Sequence, residues 1–172
     1  MTYLPGSINR QVTTVDVVNT AAETNLYSFS VPGGTLGTDG WLRLTLVGDY
    51  LQNSGGNRTI TLRVKYGGTV LGILTSGNIG SAANRASVRV TLDLVAGNAT
   101  NVQRALVSAV VGVTGTAGNP PASGAYQIAV DTVNNAAAID STTAQTLVVT
   151  AQHSAANANL SARALSVILE RM

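Results

Sequence analysis

His153 is the only imidazole in the chain, so any histidine-based proton shuttle has one place to sit. It follows Thr150-Ala151-Gln152 at the end of an apolar run and precedes a polar stretch, a setting that predicts an exposed or hydrogen-bonded side chain. A Ser-His-Asp triad would need it as the base, yet no Gly-x-Ser-x-Gly elbow presents a serine to it. The carboxylates are Asp16, Glu23, Asp39, Asp49, Asp93, Asp131, Asp140 and Glu170, and no two lie within three residues. Glycoside hydrolysis needs a carboxyl pair held about 5–10 Å apart, and nothing in this spacing nominates one. Asp49 with Asn53, and Asp39 beside Gly40, could offer loop oxygens to calcium. Without an Asp-x-Asp-x-Asp loop they read as turn and strand-end aspartates. Gly112, Gly115 and Gly118 recur at every third position, but no Lys or Ser/Thr follows at phosphate-loop spacing, so the segment reads as a hairpin loop. The chain has no cysteine, which removes thiolate zinc sites, disulfides and thiol nucleophiles. Tyr27, Phe29 and Trp41 fall in alternating runs that suggest core; Tyr50 and Tyr126 are the aromatics expected to be exposed enough for stacking. The expectation is no catalytic residue, no metal, no cofactor and no enzyme activity.

Composition narrows the partners. Charged residues make up 10% of 172, against roughly 25% in an ordinary domain. Thr, Asn, Ser, Gly and Ala fill the deficit. Nucleic-acid binding relies on clustered basic side chains, whereas here the arginines and the single Lys65 are scattered and the net charge is +2. No nucleic-acid partner is expected. The longest apolar run, near Ala105–Val113, is broken by Ser108 and falls short of the roughly 20 residues a membrane helix needs. No membrane association and no secretory leader are expected, and synthesis in a cytoplasm follows.

The elements that must position these residues alternate with period two. In Arg58–Tyr66, Ile60, Leu62, Val64 and Tyr66 share one face. Trp41–Tyr50 sets Leu42, Leu44 and Leu46 against Arg43 and Thr45; Ser87–Val95 sets Val88, Val90, Leu92 and Leu94 against Arg89, Thr91 and Asp93. Further strands are predicted over Val12–Asn19, Asn25–Val31, Thr69–Leu74, Val102–Val113, Ala125–Val133 and Ala144–His153 from β-branched enrichment between Gly, Asn and Pro turns. The last segment fits a helix through Leu160, Ala164, Leu165, Ile168 and Leu169 or a strand through Leu165, Val167 and Leu169; the strand is preferred. The reading is all-β, a sandwich or barrel. Residues 1–11, with Pro5 and Gly6 and no alternation, are set apart as an N-terminal arm before a domain of residues 12–172.

Three stretches carry a resemblance. Asn19-Thr20-Ala21-Ala22-Glu23-Thr24-Asn25-Leu26-Tyr27-Ser28-Phe29 is one. Gly40-Trp41-Leu42-Arg43-Leu44-Thr45-Leu46-Val47-Gly48-Asp49-Tyr50, running through Asn53-Ser54-Gly55-Gly56 into Thr59–Thr69, is the second, and Gln145–Ser154 is the third. Together they resemble the jelly-roll virion structural proteins of tailed bacteriophages, the group of capsid decoration (cement) proteins and head or tail fibre modules. The resemblance implies an antiparallel jelly-roll β-sandwich, assembly as a homotrimer, and the major capsid protein as partner on the virion surface. It implies an extended terminus gripping the shell but transfers no residue; the contacts expected in this chain's own arm are Tyr3, Leu4, Pro5 and Ile8, and eleven extended residues reach about 35–40 Å. The alternative under the same resemblance is a receptor- or carbohydrate-binding module of a fibre or tail, with a glycan as partner.

Overall fold

The computed structural model describes residues 6–112 and 139–172, and the backbone of 126–136. Among them are eleven strands and no α-helix: β1 (Gly6–Gln11), β2 (Val15–Val18), β3 (Thr24–Val31), β4 (Trp41–Gln52), β5 (Ile60–Tyr66), β6 (Thr69–Thr75), β7 (Ala82–Ala99), β8 (Val102–Gly112), β9 (Tyr126–Ala136), β10 (Gln145–His153) and β11 (Leu160–Arg171). The chain is all-β, in two antiparallel sheets. The larger runs β1-β11-β4-β7-β8-β9, with β2 also on β11; the smaller runs β3-β10-β5-β6. No helix long and apolar enough to cross a membrane occurs among the described residues.

The period-two patterns become inner faces. Leu42, Leu44 and Leu46 of β4 meet Leu94, Leu92 and Val90 of β7 in register, and all six are fully excluded from solvent. Ile60, Leu62, Val64 and Tyr66 of β5 face them from the smaller sheet, with Leu147, Val149 and Ala151 of β10. Burial of a side chain of this size contributes about 1.5–3 kcal/mol, so these strands hold the two sheets together. Tyr66-Gly67-Gly68-Thr69 closes β5 onto β6, with φ of 54° and 80° at the two glycines. That pair of positive values is what a two-residue type I′ hairpin requires, and only glycine takes it without strain.

The final segment is a strand, and a β-bulge explains its ambiguous pattern. The register of β11 on β4 shifts between Ala164 and Ser166. Leu160, Ala162 and Ala164 point inward before the bulge and Val167 and Leu169 after it, which leaves Leu165 exposed. One extra residue flips the alternation, so a simple strand template misplaces Leu165.

The same bulge organises the N-terminus. Residues 6–11, assigned above to an extended arm, form β1 and pair with Val167–Arg171 inside the larger sheet. β2 pairs with Ser161–Ala164 just beyond the bulge. Thus β1 and β2 are two segments along one edge of β11, and the boundary drawn at residue 11 falls between strands of a single sheet. Ile8 is half-buried and packs against the core. Tyr3, Leu4 and Pro5 lie outside the described residues.

Candidate binding face

The central strands of the larger sheet turn their second face outward. On β4 this face carries Trp41, Arg43, Thr45, Val47 and Asp49; opposite them in register on β7 stand Val95, Asp93, Thr91, Arg89 and Ser87. β8 continues the rows with Arg104, Leu106, Ser108 and Val110. Val47, Val95 and Leu106 are 46%, 37% and 41% exposed, large apolar side chains left in water on one face.

Charge on this face is mostly consumed within it. Asp49 accepts from Arg163 Nε at 2.8 Å and from Arg85 Nη1 at 2.6 Å, while Arg163 Nη2 reaches its other oxygen. Arg85 also donates to Ser161 Oγ at 2.7 Å, and Ser161 donates to Asp16 at 2.6 Å. One network therefore joins β7, β4, β11 and β2. Burial opposes ionisation of Asp49, but the hydrogen bonds from Arg163 and Arg85 outweigh it and hold the carboxyl below its usual range. A second cluster lies further along the same face: Asp93 accepts from Arg43 Nε at 2.7 Å and Trp41 Nε1 at 3.0 Å. The Arg43 guanidinium sits 4.8 Å from the Trp41 ring centroid, a cation–π contact. On the smaller sheet Glu23 pairs with Lys65 and Arg63 and accepts from Thr150.

The two aspartates differ in weight. Asp49 is 15% exposed and serves two arginines, so Asp49→Asn removes the carboxylate that both arginines bond and is expected to cost about 2 kcal/mol. The Arg43–Asp93 pair is 38% and 26% exposed, and Asp93→Asn should cost under about 1 kcal/mol. Urea midpoints at pH 7 measure both; equal losses would show that the four-strand network adds nothing beyond a surface pair. The Asp49 contribution is full above about pH 4 and fades as pH falls through its lowered value.

The residues singled out in the sequence land in different places. His153 is buried at the end of β10, with Nε2 2.8 Å from the Val17 carbonyl of β2. Its ring stacks on Tyr50 at 5.7 Å between centroids. Tyr50, expected to be exposed, is wholly buried, because residue 50 has the inward parity of Leu42–Leu46 on β4. Burial pushes its hydroxyl up to about 12. Trp41, expected in the core, stands half-exposed on the outward parity of the same strand. The Tyr126 side chain and the Gly115–Gly118 loop lie outside the described residues. Asp49 and Asp39 do not join a cation site: no group of three or more His, Asp or Glu placed to hold a metal occurs among the described residues. The Asp49–Arg85–Arg163 network escaped the sequence reading because its members are 36 and 114 residues apart. The outward parity of Asp49 was visible; the bulge that turns Arg163 outward and the strand order that joins the three were not.

Fold and face together define an all-β chain of two antiparallel sheets with an arginine-bearing outer surface. No family model matches the chain, and no curated protein matches it. Solved structures show weak likeness. The CBM2 module of the evolved Dit of Lactobacillus casei BL23 phage J-1 is 9% identical at a TM-score of 0.40, over 90% of this chain and 73% of that one. The alginate lyase from Klebsiella pneumoniae is 11% identical at 0.32, over 78% and 59% of the two chains. A chain of infectious bursal disease virus Gx strain is 10% identical at 0.30, over 96% and 42%. The chain is thus weakly similar to a phage module and to a virus protein, and neither likeness transfers a residue or a ligand.

Proposed function

We propose that this chain is a bacteriophage virion structural protein, a jelly-roll capsid decoration protein that assembles as a homotrimer and binds the major capsid protein shell. The strand pairing supports the jelly roll. β2 pairs with β11, β3 with β10, β4 with β7 and β5 with β6. These are successive rungs of one long hairpin whose tip is Gly67-Gly68, with β8 and β9 inserted between β7 and β10. Rolling that hairpin lays β4 on β11 and β5 on β10, the remaining pairs of the two sheets.

The observation that carries the binding role is the outer face of the larger sheet. Val47, Val95 and Leu106 are exposed there among arginines and Trp41, with no lysine, and its aspartates are engaged inside the chain. Arg and Trp enrichment with Lys depletion is the composition of protein interfaces. In this reading the N-terminal residues Tyr3, Leu4 and Pro5 add reach beyond β1, while Ile8 anchors that edge against the core. The glycan-binding alternative loses Tyr50 as a stacking platform, since its ring lies against His153 in the core.

The test is sedimentation of shells that lack the protein after mixing with purified chain, together with its mass in solution by light scattering. A trimer that pellets with the shells, seen as added density by negative stain, is the expected result. A monomer that stays in the supernatant overturns the reading.

A further inference from the structure

We infer that the cleft beside Arg89 is a seat for an acidic, aliphatic segment of another protein: a carboxylate side chain flanked by Val- or Leu-sized neighbours. The cleft, about 450 Å³, is lined by Val47, Ser87, Val88, Arg89 and Val110. Its position follows from register, because Val47 pairs with Arg89 on one side and Arg89 with Val110 on the other. The guanidinium therefore rises between two valines in a single row across three strands. Val47 is 46% exposed, so the apolar wall is available to a partner.

Charge decides what fits. Asp49 is occupied by Arg85 and Arg163, and Asp93 by Arg43 and Trp41. Neither serves Arg89, which has no hydrogen-bond or ion-pair partner among the described residues. A guanidinium offers paired donors that match a carboxylate edge-on, and the valines would shield that pair from water and strengthen it. The row carries no carboxylate of its own, so the same row of a second copy cannot satisfy it. The complement is therefore a different surface, one with a carboxylate between aliphatic side chains. That this surface belongs to the shell rests on the reading above; the chemistry of the seat does not.

Two measurements test the seat and its occupant separately. The full-length, 15N-labelled chain is titrated with the capped peptides acetyl-Val-Glu-Val-amide and acetyl-Val-Gln-Val-amide, as wild type and as Arg89→Gln. The Glu peptide is expected to shift the amides of Val47, Ser87–Val90 and Val110 saturably, and to bind at least ten-fold more tightly than the Gln peptide. Arg89→Gln should abolish that preference with an unchanged melting temperature. Equal binding of the two peptides, shifts confined to the smaller sheet, or a Glu preference that survives Arg89→Gln overturns the seat. Shell sedimentation of Arg89→Gln then reads the occupant: a ten-fold loss supports the shell, and full binding overturns the shell as occupant while the peptide result stands on its own.

Discussion

Gly48→Ala is expected to destabilise the chain by about 3 kcal/mol, a large fraction of the 5–15 kcal/mol that holds an ordinary domain folded. Gly48 lies on the inward parity of β4, opposite Ala164 where the register of β11 shifts. A Cβ built there would fall 2.0 Å from the carbonyl oxygen of Arg163. Real contacts of that kind stay beyond about 3 Å because repulsion rises steeply inside the van der Waals distance. The obstructing atom is backbone, so no rotamer change relieves it. Relief requires β11 to move, and β11 carries β1, β2 and β4 at once. The disturbance should therefore reach Gly6–Val18 as well as the bulge. Urea unfolding measures the loss, and amide exchange of β1 and β2 locates it. A midpoint within about 0.5 kcal/mol of wild type would show that the bulge is soft.

The second large effect is acid sensitivity centred on His153. Its Nε2 faces the Val17 carbonyl, so the neutral ring carries its proton there and donates it. Its Nδ1 is buried and meets no partner among the described residues. Protonation places an N–H at Nδ1 with no acceptor among the described residues. Burial is the main cause that lowers the His153 pKa; the Val17 bond and the charge of Asp16 on β2 oppose it without reversing it. Tyr50 on β4 faces the ring and stays neutral, its hydroxyl raised to about 12. The positive charge of Arg58 opposes that rise at Tyr50 without reversing it.

The sign follows from linkage. A folded-state pKa below the unfolded value near 6.5 means the unfolded chain binds the proton more tightly. The stabilisation is complete above about pH 6.5 and is lost as pH falls towards the folded value. The slope cannot exceed about 1.4 kcal/mol per pH unit for one group. Melting temperature should fall from pH 7.5 to pH 5, and opening should begin at β2, which His153 ties to β10. His153→Gln keeps a donor for Val17 without a titrating ring; it should cost about 1–3 kcal/mol at pH 7 and flatten the profile in that window. An unaltered slope in the variant would place the acid sensitivity elsewhere, since no other imidazole exists in the chain.

How much of this was legible in the residues varies from strand to strand. Leu42, Leu44 and Leu46 against Arg43 and Thr45 announced both the strand and its buried face, because side-chain direction in a strand alternates at every residue. The same alternation placed Trp41 and Tyr50 on opposite faces of β4, yet aromatic character suggested the reverse for each. Parity outweighed residue type: Tyr50 follows the leucines into the core and Trp41 follows Arg43 outward. Leu165 shows the limit of parity, since a bulge costs no recognisable residue and inverts everything after it.

The sequence alone thus determined that the chain is all-β, which positions alternate, and that glycines separate the strand ending at Tyr66 from the one starting at Thr69. These are local properties, set by side-chain branching and allowed backbone angles within a few residues. Only the tertiary structure decided that residues 6–11 form an edge strand, that His153 is buried under Val17, and that Asp49 gathers Arg85 and Arg163 while Arg89 has no partner among the described residues. Each of those depends on which strands lie side by side. That choice comes from the packing of two whole sheets over one core, and it brings together residues as far apart as Gly6 and Arg171.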